Sequence, residues 1–166
     1  MAPVLTRSVR ATRRLRASPE RVFAAWLDPT LARRWLFATA TQPMELAEID
    51  ARVGGRFHVV DAAHGVEHAG TYLDIDAPSR LVFTLSLESE WKAITRVAVD
   101  IEQRRNGCAV TVVHHDVPRE RARAIADRWC GMLYGLGEIL APAPVVQRRM
   151  RPLFASHSTF AWRNSP

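Results

Sequence analysis

The sequence predicts an α+β fold in which a curved antiparallel sheet of six to seven strands wraps around one long C-terminal helix. Three observations predict this fold. A first strand is followed by two short helical segments, residues of alternating polarity fill the middle of the chain, and a helical stripe of apolar residues follows them. At 166 residues the chain can form one domain whose hydrophobic core needs no disulfide bonds.

The opening strand and helices have clear local signals. The segment from Val4 to Ala17 holds β-branched and basic residues without a breaker, and it predicts a strand. Ser18 can cap a helix in which Pro19 takes the first position. Asp28-Pro29 ends that helix and begins a second, shorter one. We expect the apolar side chains of both helices to be buried, namely Val22, Phe23, Trp26, Leu27, Leu31, Trp35 and Leu36.

Alternating polarity after residue 43 predicts a series of antiparallel strands. Asn106-Gly107 is the strongest hairpin signal, because both residues tolerate a positive φ. The predicted strands are 44–52, 57–61, 70–76, 80–87, 91–102 and 108–116. The apolar faces of the last three are predicted to comprise Leu81, Phe83, Leu85 and Leu87, then Ala93, Thr95, Val97, Val99 and Ile101, then Val110, Val112 and His114.

The helical period returns after Pro118 and continues to Leu140. Its apolar stripe extends over roughly 34 Å at 1.5 Å per residue. Gly131, Gly135 and Gly137 interrupt the helix, and each costs about 1 kcal/mol relative to alanine. We expect close packing against the sheet, or room for a ligand, to offset that cost. The stripe comprises Ile125, Trp129, Met132, Leu133, Leu136, Ile139 and Leu140.

Composition and charge argue against several classes of function. Residues 141–166 carry four of the six net positive charges, so they form a basic tail outside a predicted domain of residues 1–140. The remainder is too weakly basic to predict specific nucleic-acid binding. No apolar run reaches the length of about 18 residues that predicts a membrane span. Cys108 and Cys130 form no Cys-x-x-Cys pair, so we expect a reducing, cytoplasmic location.

Four segments in order resemble a known family. They are Ala17–Trp26, Asp50–Phe57, Gly70–Leu73 with Arg80–Thr84, and Val110–Val112 with His114. Together they resemble the START-like (SRPBCC) proteins of the heat-shock-protein-90 ATPase activator homologue C-terminal type, over residues 7–140. The resemblance implies the helix-grip (START/Bet v-like) fold and a hydrophobic cavity between sheet and C-terminal helix. It implies no cofactor, and it leaves a homodimer and a chaperone-associated interaction role open.

We predict that this cavity binds a small hydrophobic or amphipathic molecule. An alternative is a cyclase- or hydratase-type enzyme in which His114 is the acid or base. The competing interpretation of His114 is a neutral ring hydrogen-bonded to the helix. The candidate ligand-binding residues are Phe57, Tyr72, Phe83, Leu85, Trp91, Val97, Val112, His114, Trp129, Met132 and Leu133.

Residues 64–68 spell H-x-x-E-H, an inverted zinc-protease motif. That chemistry needs both histidines on one helix face and a third ligand. Gly65 instead predicts a hairpin, and histidines four apart on a strand lie roughly 13 Å from each other. We therefore predict no metal site here.

Overall fold

The computed structural model describes residues 4–39, 42–61, 64–87 and 93–142. Trp91 and nearly all of the predicted basic tail lie outside these residues. The strands are β1 (Thr6–Leu15), β2 (Leu46–Ile49), β3 (Arg56–Asp61), β4 (Val66–Asp76), β5 (Arg80–Leu87), β6 (Ile94–Arg104) and β7 (Gly107–Pro118). The helices are α1 (Pro19–Leu27), α2 (Pro29–Ala32) and α3 (Ala122–Leu140), the last preceded by a 3₁₀ turn at Arg119–Arg121.

The seven strands form one antiparallel sheet in the order β1-β7-β6-β5-β4-β3-β2. From β2 to β7, each strand pairs with the next one in the chain. The last strand, β7, also pairs with the first strand, β1. The sheet curves around α3, which packs against β1 and β7. This arrangement confirms the predicted fold class. No helix in the described part of the chain is long and apolar enough to cross a membrane.

Side-chain caps start both short helices as predicted. The Ser18 hydroxyl accepts a hydrogen bond from the Arg21 amide at 3.4 Å. One Asp28 carboxylate oxygen accepts from the Thr30 amide at 2.7 Å and the Leu31 amide at 3.2 Å. The same residue therefore ends α1 and begins α2, which turns the chain back toward the sheet.

The core lies between the concave side of the sheet and the helices. Trp26 of α1 and Trp35 after α2 are each 1% exposed, and their rings meet edge to face at 4.5 Å. The predicted buried face of these helices is correct except at its rim, where Leu27 and Leu31 are only partly buried. The three strand faces that were predicted to be apolar point toward this core at Phe83, Val97 and Val112, among others.

Several element ends differ from prediction for local steric reasons. Strand β2 ends at Ile49, because the chain then turns back sharply toward β3. The turn is so tight that a Cβ on Gly55 would lie 2.1 Å from the Asp50 carbonyl oxygen. Strand β4 begins at Val66 rather than Gly70, since the turn at Gly65 (φ +59°) lets Val66 pair with Asp61 at once. The C-terminal α-helix begins at residue 122 because residues 119–121 form a 3₁₀ turn.

Candidate functional site

The structure brings ten of the eleven predicted ligand residues into the core, where their side chains fill the space. All ten are buried, and Trp91 lies outside the described residues. Phe57, Tyr72 and Phe83 line a void of about 10 Å³, which is the lower limit for one water molecule. Trp26 borders the same void, and its indole N–H has no hydrogen-bond partner in the described protein. Among the described residues, the space beside Phe57, Tyr72 and Phe83 is therefore too small for an organic ligand.

Aromatic rings account for much of this filling. The Phe57 and Phe83 rings meet edge to face with centroids 5.3 Å apart, and Tyr72 lies 5.6 Å from Phe57. The Trp26 and Trp129 rings lie 6.2 Å apart. These are the separations of packed aromatic pairs, so each ring occupies the space beside the next.

His114 joins the sheet to α3 through a complete hydrogen-bond chain. Trp129 Nε1–H donates to His114 Nδ1 at 3.1 Å. Because an indole nitrogen can only donate, Nδ1 carries no proton, and His114 Nε2–H donates to Thr95 Oγ1 at 2.7 Å. The Thr95 hydroxyl in turn donates to the Leu85 carbonyl oxygen at 3.0 Å. Each polar side-chain atom in this series of hydrogen bonds therefore has a partner.

This environment keeps His114 neutral. The ring is 1% exposed, and burial, aided by electrostatic repulsion from His115, lowers its pKa to about 4 against a smaller opposing effect of Asp116. A general acid or base needs a ring nitrogen that can reach substrate. Both nitrogens of His114 are occupied by protein groups, so the geometry is that of a ring hydrogen-bonded to the helix.

A cleft of about 960 Å³ lies beside α3, away from the filled centre. Three separate segments line this "α3 cleft": the chain after α2, the end of β3 with the β3–β4 turn, and one face of α3. Met132 is the one predicted ligand residue among its described lining. The lining comprises Arg34, Trp35, Phe37, Ala38, Thr39, Asp61, His64, Val66, Arg128, Gly131, Met132, Tyr134, Gly135, Glu138 and Ile139.

The helix glycines were the one sequence signal for this cleft. A Cβ on Gly131 would meet nothing within 4 Å, and one on Gly135 would meet only the Trp35 Cβ at 3.9 Å. Gly137 differs, because its Cβ would come 3.1 Å from a Leu15 methyl group. Close packing therefore accounts for Gly137, whereas open space lies beside Gly131.

Phe37 forms the inner wall of the α3 cleft in an unusual backbone conformation. Its φ is +61°, a region that residues with a side chain rarely adopt. Its amide contacts Met132 Sδ at 3.1 Å, and its ring stacks on His68 with centroids 4.0 Å apart and planes inclined by 17°. The strained turn thus places an aromatic ring between the cleft and a buried histidine.

His68 is the second buried neutral histidine, and its hydrogen bonding is incomplete. Arg128 Nη2–H donates to His68 Nε2 at 3.4 Å, so the ring proton resides on Nδ1. That Nδ1–H is buried and has no partner in the described protein, which costs about 1–3 kcal/mol. Burial, followed by the charge of Arg128, lowers the pKa of His68 to about 4, while Asp61 opposes this.

The two histidines of the H-x-x-E-H motif lie in different environments. His64 is in the exposed turn before β4, where its Nδ1 donates to an Asp61 carboxylate oxygen at 3.1 Å. His68 is buried beneath Phe37. Within the described ranges no group of three or more histidine, cysteine or acidic side chains is placed to hold a metal ion.

Residues 16–141 match the family model described as Activator of Hsp90 ATPase homolog 1-like protein. The chain belongs to this family. Membership confirms the START-like (SRPBCC) resemblance, since the matched residues include strands β2 to β7 and all three helices. A search of curated proteins found no match.

Several solved structures are similar to this chain in fold. A protein from Chromobacterium violaceum is 25% identical, with a TM-score of 0.67 over 81% of this chain and 97% of that one. An AHSA1-like protein from Aeromonas hydrophila is 22% identical, with a TM-score of 0.65 over 80% and 90% of the two chains. An Hsp90 activator from Plasmodium falciparum is 21% identical, with a TM-score of 0.64 over 80% and 95%.

Proposed function

We propose that this protein binds a small hydrophobic or amphipathic molecule in the α3 cleft, beside the C-terminal helix rather than at the filled centre of the fold. The observation that carries the proposal is the cleft itself. Its volume of about 960 Å³ lies in the range of about 300–1,000 Å³ that small-molecule sites occupy. The nearby void in the core is about a hundredfold smaller.

The lining of the α3 cleft suits an apolar body with a polar end. Trp35, Phe37 and Met132 are at most 4% exposed and supply a firm apolar wall. The rim is polar and includes Arg34, Arg128 and Glu138. An apolar wall with a few convergent polar groups is the usual composition of a ligand site, because the wall provides affinity and the polar groups provide orientation.

The test is a titration with the neutral fluorophore N-phenyl-1-naphthylamine, which brightens in apolar surroundings. A Cβ at Gly131 would meet nothing within 4 Å, so Gly131→Leu directs a side chain into the open space of the cleft, and probe affinity should fall at least tenfold. Cys130→Leu adds the same side chain at the adjacent, exposed position outside the described lining, and affinity should stay within twofold. Equal binding by wild type and Gly131→Leu, or no binding by wild type, would refute the proposal.

A chaperone-associated interaction is the second candidate. The family description and the Plasmodium falciparum neighbour both name Hsp90 activation, and the match spans most of the chain. The deciding measurement is the ATP hydrolysis rate of purified Hsp90 with increasing amounts of this protein. A rate that stays at its basal value up to a large molar excess would reject this role.

A further inference from the structure

We propose that the molecule bound in the α3 cleft carries an anionic group, such as a carboxylate or sulfonate, that Arg128 binds. This inference rests on the proposed function and adds the chemical class of the ligand. It depends on how Arg128 is held, on which charges lie around it and on the buried histidine behind it.

Arg128 is held by contacts that leave its charge available. One guanidinium N–H reaches His68 Nε2 at 3.4 Å, and the guanidinium carbon lies 6.0 Å from the centroid of the Phe37 ring. Both partners orient a cation without neutralising it. A guanidinium has five N–H donors in a planar fork, and among the described residues one of them is bonded, to His68, so others can serve an anion from the cleft.

The charge of Arg128 has acidic residues near it but no close ion pair among the described residues. Asp61 attracts Arg128 electrostatically, and one of its carboxylate oxygens accepts a hydrogen bond from His64 at 3.1 Å. Glu138 lies ten residues further along α3, or about 15 Å along the helix axis. None of the salt bridges between described residues includes Arg128. Arg128 can therefore accept an anion that enters the cleft.

His68 supports Arg128 from within the core as a positioning residue. It is 1% exposed and stacked against Phe37, which itself lines the cleft. Its Nδ1–H is buried without a partner in the described residues. The ring therefore acts on the cleft through its Nε2 contact, which holds the Arg128 guanidinium from the protein side.

The experiment compares two probes that share one aromatic framework on the full-length protein. Anilinonaphthalene sulfonate is anionic, and N-phenyl-1-naphthylamine is neutral. Arg128→Gln should weaken binding of the anionic probe by roughly tenfold or more, as loss of a charge-assisted hydrogen bond implies. Binding of the neutral probe should stay within twofold. Arg128→Lys keeps the charge and should recover most of the lost affinity.

The matched control is Arg123→Gln, which removes a charge from an exposed position of the same helix and should change neither affinity. If Arg128→Gln weakened both probes equally, or neither, the anionic class would be refuted while the cleft remained a binding site. If wild type failed to bind the neutral probe, the proposed function would fail first. Thermal melting of each variant identifies any loss of affinity that comes from unfolding.

Discussion

His114 should make the stability of this protein depend on pH in a way that one substitution removes. The perturbation is acidification from pH 7.5 to 5.0, applied to wild type and to His114→Gln. Glutamine can accept a hydrogen bond from Trp129 and donate one to Thr95, yet it does not titrate. Any difference in the pH dependence of the two proteins therefore reports the histidine proton.

The magnitude follows from the two pKa values. Burial lowers the pKa of His114 from 6.5 to about 4, so between these values the unfolded chain binds a proton that the folded protein excludes. The contribution is fully present above pH 6.5 and is lost as the pH falls toward 4. Between pH 7.5 and 5.0 one such histidine removes about 2 kcal/mol of unfolding free energy. The pKa of His68 is lowered by the same amount. Wild type, which has both histidines, should therefore lose about twice as much unfolding free energy as His114→Gln, which keeps only His68.

The assay is urea unfolding followed by tryptophan fluorescence at half-unit pH intervals. His114→Gln should start at lower stability at pH 7.5, because its amide fits the site less well, but its stability should fall about 2 kcal/mol less on acidification. A nuclear magnetic resonance titration of the His114 ring should give a midpoint near 4. If wild type and variant lost the same stability within about 0.5 kcal/mol, His114 would not be the buried neutral ring described above.

Four further substitutions test the local geometry by urea unfolding. Gly131→Ala should stabilise the protein by about 0.5–1 kcal/mol through helix propensity. Gly137→Ala should gain less or lose stability, because its Cβ approaches Leu15. Equal gains for the two variants would contradict the difference in packing. Asp28→Ala should cost about 1 kcal/mol, since it removes the cap of α2, and no loss would discount that cap. His68→Phe should keep the stacked ring and remove both the orphaned donor and the titrating group. Its stability should therefore vary less with pH than that of wild type. An unchanged pH dependence would contradict a neutral His68.

Much of the fold could be predicted because its signals are local. The cap at Ser18 and the hairpin at Asn106-Gly107 depend on a few adjacent residues, and alternation along β7 identifies Val110, Val112 and His114 as one face. All three are at most 1% exposed. Element ends were harder, because they depend on contacts between residues distant in the chain or on turn geometry. The short β2, which the Gly55 turn ends, is an example.

The binding site could not be predicted in the same way. Periodicity identifies the inward residues of each strand, but it does not say whether their side chains fill the enclosed volume. Here Phe57, Tyr72 and Phe83 fill it. The α3 cleft is built from three segments that are far apart in the chain, and its inner wall depends on the positive φ of Phe37, for which no sequence signal exists. The helix glycines indicated either close packing or room for a ligand, without indicating which of the two applies at Gly131.

The two buried histidines differ in a way that separates structural from functional roles. His114 has a partner for each ring nitrogen, and its chain of bonds ties β5, β6 and β7 to α3, so nothing about it requires a further molecule. Among the described residues, the His68 ring has one hydrogen-bond partner, the Arg128 cation, and its second nitrogen has none. The ring is buried behind Phe37, so it can act on the α3 cleft only through Arg128. Arg128 beside His68, rather than the fully bonded His114, is therefore the place where the proposed ligand should be tested first.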